Sequence, residues 1–475
     1  MKSIVGAEHV ATEKSFLDSF AASNLVKGKA PVAAVKPQNA GQVQALVRYA
    51  NQKGVPLVAR SSRGPGSRGS TVPFAKGAVM VDLSEMKQIV RVDKHNQVAL
   101  IEPGVRFGAL EQAAVSAGLR VAMPLCPPAS QSVTASILER EPTLFPKYHW
   151  DMQDPLCCME VVFGAGHLFR TGSSAGPGSL EDQWASGQAQ KSPMGPAQTD
   201  WGKIIQGSQG TMGIVTWTSV KLEKLPMVEK GFVVQVPFME QVLDFTYSIV
   251  QRRLPDVCLL LNAANLAALL GKQAGQDLPA WALVYSISGY DHFPQDRVAY
   301  LEADINDLAR RHGVRPGRSM SGLTSESLVR ILNAPSDEPY WKNVPKGSYL
   351  DLFFLTTLDK TPEFIGKMEG MAKAKGFSRE DLGIYIQPIM QGRACHLEFT
   401  LFYNQQDESQ KALATSLFHE ASGVMMDMGG FFSRPYGPWA DLAYARCPDT
   451  VAALKKVKNI LDPNNVMNPG KLCFK

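Results

Sequence analysis

His396 and Glu398 lie two residues apart in the apolar run Cys395-His-Leu-Glu-Phe399. In an extended strand that spacing puts both side chains on one face. An imidazole beside a carboxylate can take or relay a proton; the same pair also suits a solvated sheet face. The preceding run, Ile384 to Pro388, repeats the alternation with Tyr385 and Gln387. Further on, Gly429-Gly-Phe-Phe-Ser-Arg-Pro-Tyr-Gly437 sets Arg434 and Tyr436 among aromatics and glycines. That composition fits a pocket wall able to hold an anionic oxygen, or an aromatic loop with a surface arginine. Near the other end, Gly64-Pro-Gly-Ser-Arg-Gly69 satisfies G-x-G-x-x-G. A nicotinamide-type turn must open a helix, but Thr71 and Pro73 follow and no helical period appears. The loop from Arg60 to Ser70 still offers clustered backbone N–H groups, serines and Arg60, Arg63 and Arg68. Such a nest suits a diphosphate without any helix; the alternative is a solvated Gly/Arg loop.

The elements that position these groups follow from periodicity. Val32 to Val35 reads as a strand, followed by a helix with Val43, Leu46, Val47 and Ala50 on one face. Gly54 and Pro56 stop it, and Pro56 to Ala59 is a buried strand feeding the Gly-rich loop. Strands follow at Ala78–Leu83 and Val98–Glu102, then a helix near Phe107–Ala117. Met159–Phe163 and His167–Arg170 read as a hairpin. Residues 172–200, rich in Gly, Ser, Pro and Gln, read as a surface excursion expected to order over a ligand. Ile214–Leu222 is a β-branched strand, and Leu225-Pro226 marks a domain boundary. Beyond it, strands at Gly231–Val236, Trp281–Ile287 and Tyr349–Leu355 each precede a helix, and the runs at 384–388 and 395–402 read as paired strands. This rhythm allows a parallel sheet or an antiparallel sheet backed by helices.

Composition narrows the function. Among 475 residues, 49 Lys+Arg against 44 Asp+Glu leave +5, too little over this length to argue for nucleic acid or an anionic membrane. No uninterrupted apolar stretch of about 18 residues occurs, so no transmembrane segment is expected. Charges interrupt the N-terminal stretch where a secretory signal needs an apolar run. Seven scattered cysteines without C-x-x-C argue against a zinc ribbon or a resident iron–sulfur cluster and suit a reducing cytoplasm. No histidine cluster has metal-ligand spacing.

Five blocks, in order, resemble the vanillyl-alcohol oxidase / p-cresol methylhydroxylase superfamily. They are the Ser/Gly loop after a strand, Val81–Met86 with Val98–Gly104, Pro124-Leu-Cys-Pro-Pro-Ala-Ser130, Gly207-Ser-Gln-Gly-Thr-Met-Gly-Ile-Val-Thr216, and Asp462-Pro-Asn-Asn-Val-Met-Asn-Pro-Gly-Lys471. The resemblance spans nearly the whole chain. It implies an α+β fold: a two-subdomain FAD-binding domain over residues 1–226, a cap domain over 227–430 with an antiparallel sheet backed by helices, and a C-terminal return over 431–475. The cofactor implied is FAD; the pyrophosphate loop has no histidine to tether it, so noncovalent binding is favoured, with attachment through a Tyr or His of the cap or C-terminal region as the alternative. Residues expected to hold it are Arg60, Ser61, Ser62, Arg63, Gly64, Pro65, Gly66 and Ser67, then Pro124, Ser130 and Thr134, then Gly207, Gly210, Thr211, Gly213, Ile214 and Val215, and finally Asn468 and Lys471. The chain departs from the family at Thr134–Glu141, where many members carry a second Gly/Asn-rich stretch.

The catalytic groups expected are His396, Tyr385, Arg434 and Tyr436. Arg434 or Tyr436 would hold an anionic oxygen, and His396, with an ordinary pKa near 6.5, or a tyrosine would accept a proton. The small-molecule substrate favoured is an aromatic alcohol or alkylphenol, giving a hydride from an alcohol or benzylic C–H to flavin, because Phe432–Tyr436 resembles the phenolic branch. A 2-hydroxy acid, as in glycolate and D-lactate dehydrogenases, is the alternative; a flavin electron-relay subunit is another. No haem or iron–sulfur motif is present, so the acceptor is external, and a separate redox protein (iron–sulfur protein or cytochrome) is compatible, as is a homo-oligomer. A dehydrogenase is favoured over an oxidase.

Overall fold

A computed structural model describes residues 1–62, 68–196, 199–272 and 277–474. The first sheet is built from β1 (Val10–Ala11), β2 (Ala33–Val35), β3 (Leu57–Arg60) and β4 (Val79–Asp82), in the order β1-β2-β4-β3. β2, β4 and β3 are parallel and β1 is antiparallel. The helix Ala40–Lys53 covers it. Asn39 caps that helix by accepting from the Gln42 N–H, and Gly54 ends it in the left-handed region. The stripe Val43, Leu46, Val47 and Ala50 packs on Val35, Leu57, Val79 and Val81. Burial of such a stripe is what holds a helix of this length in place.

The second sheet comprises β5 (Ile89–Asp93), β6 (Val98–Ile101), β7 (Leu119–Val121), β8 (Leu156–Phe163), β9 (Leu168–Arg170) and β10 (Gly213–Lys224). It is antiparallel in the order β5-β6-β10-β8-β9, with β7 on the far end of β10. The expected 159–170 hairpin is present as β8 and β9. The excursion after it does not cover a ligand cavity. Its helix Leu180–Ala185 packs Leu180 and Trp184 on Val98, Cys158 and Trp217. The Ser219 hydroxyl donates to the Gln190 carbonyl and anchors the return. Its two large apolar groups, Leu180 and Trp184, have the exposed face of this sheet to cover, and that outweighs the loop-like composition.

The chain leaves this sheet at Lys224 and enters a third at Val228. There β11 (Val228–Val236), β12 (Val257–Asn262), β13 (Trp281–Gly289), β16 (Gly347–Thr356), β17 (Leu382–Ile389) and β18 (Ala394–Asn404) pair in the order β11-β13-β12-β17-β18-β16; β14 (Ser319–Met320) and β15 (Leu323–Thr324) form a separate ribbon. Every pairing in the six-stranded sheet is antiparallel, which resolves the two sheet types allowed by the strand–helix rhythm. Four long helices, Glu240–Gln251, Pro294–Arg311, Thr361–Lys375 and Glu408–Asp427, pack on one face. The other face is covered in part by the shorter helices Ala263–Leu270 and Ser325–Leu332 and by Leu125, Leu144 and Phe145 from the first half. The chain has therefore an α+β fold.

The C-terminal segment returns to the first half. After the helix Pro448–Leu461, Met467 bridges Leu57, with the Leu57 N–H donating to the Val466 carbonyl and the Asn468 N–H to the Leu57 carbonyl, both at 2.8 Å. Asp462 presses on Gly164 so closely that a Cβ there would lie 2.4 Å from the Asp462 Cβ, so only glycine fits.

Candidate functional site

A cavity of about 830 Å³ runs between the first half and the open face of the cap sheet. Its first end is walled by Arg60, Ser61 and Ser62 where β3 ends, by Ser130 and Thr134, and by Gly210 and Gly213–Val215. The helix Val133–Leu138 fixes this wall. Its cap, Ser132, accepts from the Ala135 N–H, and the Ser132 and Ser61 hydroxyls are 3.0 Å apart. The Ser132 N–H donates to the Ser62 oxygen, which leaves the Ser62 O–H as a donor. Gly210 has φ +71, and a Cβ there would meet nothing within 4 Å. Arg60 is buried beside Asp82, 3.7 Å away, and its Nε has no hydrogen-bond partner. Burial lowers its pKa against the pull of Asp82. A desolvated guanidinium with a spare donor at a cavity wall calls for an anion.

Of the expected cofactor residues, Arg60, Ser61, Ser62, Pro124, Ser130, Thr134, Gly210, Gly213, Ile214 and Val215 line the cavity. Arg63, Gly64, Pro65, Gly66 and Ser67 lie outside the described residues. Gly207, Thr211, Asn468 and Lys471 sit behind the wall. Asn468 Nδ2 donates to the carbonyls of Ser70 and Gln209, and Lys471 Nζ to that of Gly69, so these two stitch both cofactor loops together. Thr211 gives its carbonyl to the buried Lys458 ammonium, which also bonds Asp462 and the Met467 carbonyl. These backbone acceptors and amide donors are already spent on the fold.

The other end is made of cap side chains: Tyr340, Trp341, Lys342, Tyr349, Asp351, Tyr385 and Glu398. Register places them. Asp351 on β16 lies opposite Thr400 on β18, and Tyr385 on β17 lies opposite Glu398. Alternate residues Cys395, Leu397, Phe399 and Leu401 enter the helix-covered core, so His396, Glu398 and Thr400 face the open side. Lys342 is buried, with its ammonium 2.8 Å from both Asp351 oxygens and 2.7 Å from Glu398 Oε1. Thr400 donates to Asp351 Oδ1 at 2.8 Å. Glu398 Oε2 meets His396 Nε2 at 3.3 Å, and Arg434 Nη2 donates to His396 Nδ1 at 3.2 Å. An arginine has no acceptor, so Nδ1 must accept and Nε2 must carry the proton.

Burial pushes His396 down to about 4, against the pull of Glu398. The expectation of titration near 6.5 is thereby corrected: no water reaches this ring, and the charged form is unsolvated. Burial works to raise Glu398, but Lys342 and the His396 N–H overcome it and hold the carboxyl well below the usual range. Asp351 goes the other way: burial and the neighbouring Glu398 raise it, and Lys342 only partly offsets them.

Of the expected catalytic groups, Tyr385 lines the cavity. Its hydroxyl donates to Gln387 Oε1 at 2.9 Å. His396 and Arg434 stand one layer back. Arg434 lies over the rings of Phe353 and Trp150, at 4.2 and 5.1 Å, with Nε and Nη1 unpartnered. Tyr436 lines a smaller chamber of about 20 Å³, together with Asn24, Arg68, Tyr349 and Asp351. Lys342 and Asp351 were missed by sequence reasoning. Asp351 carries a signal, a carboxylate interrupting the apolar run Tyr349–Leu355, by the same alternation that singled out Glu398. Arg68, Glu139 and Glu141 also reach the cavity, with Arg68 Nη1 donating to Glu141 Oε1 at 2.7 Å.

A glycine- and serine-lined slot with an unsatisfied arginine, facing a chamber of aromatic and ionisable groups, defines a dinucleotide-dependent enzyme of redox type. The chain belongs to the FAD-linked oxidoreductases of the vanillyl-alcohol oxidase / p-cresol methylhydroxylase family, and its cofactor is FAD. Residues 31–172 match the FAD binding domain and residues 357–472 the C-terminal domain of FAD linked oxidases. The chain is 32% identical to the 4-cresol dehydrogenase [hydroxylating] flavoprotein subunit of Pseudomonas putida, over 93% of this chain and 88% of that protein. It is 22% identical to D-2-hydroxyglutarate dehydrogenase of Stutzerimonas stutzeri, over 93% and 91%. Its fold matches that of p-cresol methylhydroxylase with substrate bound, with a TM-score of 0.83, 20% identity, and 100% of this chain and 95% of the other covered. Among the described residues no helix is long and apolar enough to cross a membrane.

Proposed function

We propose that the protein is a dehydrogenase that takes a hydride from an uncharged aromatic alcohol or alkylphenol, with FAD held noncovalently and electrons leaving to a separate redox protein. One observation carries this reading. Away from Arg60, each cation among the described residues lining the cavity already faces a carboxylate: Arg68 with Glu141, and Lys342 with Asp351 and Glu398. The substrate end is otherwise walled by Tyr340, Trp341, Tyr349 and Tyr385. A chamber of aromatic rings and paired charges favours a flat neutral molecule over a carboxylate, which would need a cation of its own.

FAD supplies the electron chemistry when bound. The protein supplies the rest. Arg60, Ser61 and Ser62 would hold the diphosphate at the first end. The tyrosines and Trp341 orient the substrate ring and exclude water. Glu398, anchored by Lys342 and His396, keeps a fixed negative charge in the chamber wall. His396, with Arg434 behind it, positions Glu398.

The 2-hydroxy-acid alternative has one observation in its favour, the two unpartnered N–H groups of Arg434. Anaerobic titration of the yellow protein separates the two readings. Bleaching of the flavin by 4-alkylphenols or benzylic alcohols, and none by D-lactate, glycolate or D-2-hydroxyglutarate, is the expected result. Bleaching by the hydroxy acids alone overturns the proposal. Release of FAD into the acid supernatant checks noncovalent binding.

A further inference from the structure

Two carboxylates, Glu398 buried and Asp351 partly open to the cavity, share one lysine at the substrate end, and their surroundings are unequal. Glu398 has one oxygen on Lys342 and the other on His396, a ring itself locked by Arg434. Asp351 is held by Lys342 and Thr400 and alone of the two lines both the large cavity and the small chamber beside it. That chamber, about 20 Å³, has room for one water among polar partners Asn24, Arg68 and Tyr349. Asp351 therefore stands between the substrate space and a place to which a proton can move on.

We propose that Asp351 takes the proton from the substrate's hydroxyl, and that Lys342, by bridging Asp351 to Glu398, is the residue that positions it. The assignment rests on the reading of the cavity as the substrate chamber of a hydroxyl-bearing molecule. The step is a proton transfer: the substrate O–H bond breaks, its electron pair stays on the oxygen, and the proton passes to an Asp351 carboxylate oxygen. The opposite directions in which the two carboxyls are displaced agree with a division of roles. The groups facing Asp351 are Lys342 and Tyr340 from the loop before β16, Tyr349 on its own strand, Glu398, Tyr385 and His396 from β17 and β18, and Arg68 and Glu141 from the first half.

Lys342 also sits 5.3 Å from the Trp341 ring and 5.4 Å from that of Tyr349, so its ammonium occupies a cage that would accept a small free ammonium ion. Removing the side chain should open a site for one. The test uses the FAD-loaded protein and whichever substrate bleaches the wild type. Asp351→Asn should slow bleaching by about a hundredfold or more. In Lys342→Met the acid limb of the bleaching rate should move to higher pH by about one unit, because a cation favouring the carboxylate is gone. In Lys342→Ala, ethylammonium should restore the wild-type limb saturably, and tetraethylammonium, too large for the cage, should not. Lys342→Met/Glu398→Gln, which loses one charge of each sign, serves if the single variant does not fold: the opposite pulls of Lys342 and Glu398 on Asp351 go together, the limb should stay near its wild-type position, and Asp351→Asn on that background should still slow bleaching by about a hundredfold. A substrate-free arm follows the carboxyl infrared band with pH. The band that vanishes in Asp351→Asn should titrate higher in Lys342→Met. Wild-type bleaching rates after Asp351→Asn in either background, or a limb and band unmoved in the single variant Lys342→Met, overturn the proposal. Failure of every hydroxyl substrate on the wild type overturns the functional reading, while the infrared band still decides whether Lys342 sets the Asp351 proton.

Discussion

The two ends of the cavity are built on different plans. At the end proposed to hold FAD the walls are glycines and short hydroxyl side chains from three short runs, with one cation, Arg60, whose Nε has no hydrogen-bond partner. At the other end the walls are long side chains from residues 342, 351, 385 and 398, three of which are joined by ion pairs whose side chains are at most 9% exposed. The first plan is local: three short runs, 60–62, 130–134 and 210–215, make it. The second exists only when β16, β17 and β18 are in register. The first end can therefore tolerate change one residue at a time, whereas the second must hold or fail as a network.

The largest effect should come from breaking that network. Lys342→Met leaves two buried carboxylates facing each other and should cost about 3–5 kcal/mol. Lys342→Met/Glu398→Gln should recover most of it. Denaturant midpoints at neutral pH check this, and equal midpoints for wild type and Lys342→Met would make the two ends energetically alike.

A smaller effect concerns pH. The unfolded chain protonates His396 near 6.5 and the folded chain only near 4. The unfolded state thus binds the extra proton in between, and stability falls as pH drops from about 6.5 to about 4. The lowered pKa is equivalent to about 3 kcal/mol at the acid end of that window. His396→Gln can keep both hydrogen bonds without titrating, so its stability should fall less steeply over the same window. Denaturant unfolding at several pH values reads the difference in slope.

The smallest effect belongs to the FAD end. Arg60→Ala removes one charge-assisted contact and should weaken FAD retention by about ten- to a hundredfold, with the fold intact. Equilibrium dialysis against free FAD measures it. Loss of folding instead would erase the contrast between the ends.

The same contrast explains what could be read from the sequence. Glycines, serines and arginines suited to a phosphate come in contiguous runs, so that end of the cavity showed itself as blocks, and most of the described residues named from those blocks line it. Period-two alternation put His396 and Glu398 on one face of their strand and Tyr385 and Gln387 on one face of the preceding strand, and the register sets Tyr385 opposite Glu398 and Gln387 opposite His396. Lys342 gave no signal of that kind. It lies in a polar stretch, Ser336 to Lys346, that reads as a solvated loop, and its burial is possible only because Asp351 and Glu398 come from strands elsewhere in the chain. β5 and β7 were also missed; each is short and carries charge, and they are held by edge pairing to β6 and β10.

Asn468 bonds the carbonyl of Ser70, a residue 398 positions earlier. During synthesis the loops around Ser70 and Gln209 thus leave the ribosome well before the segment that ties them together. At roughly 5–20 residues per second the interval is about 20–80 s. Throughout that time the first half has its helix Ala40–Lys53 and its parallel strands available, but not the Met467 bridge against β3 or the Lys471 contact to Gly69. The edge of β3 that meets Met467 therefore stays without that partner until the C-terminal segment is made.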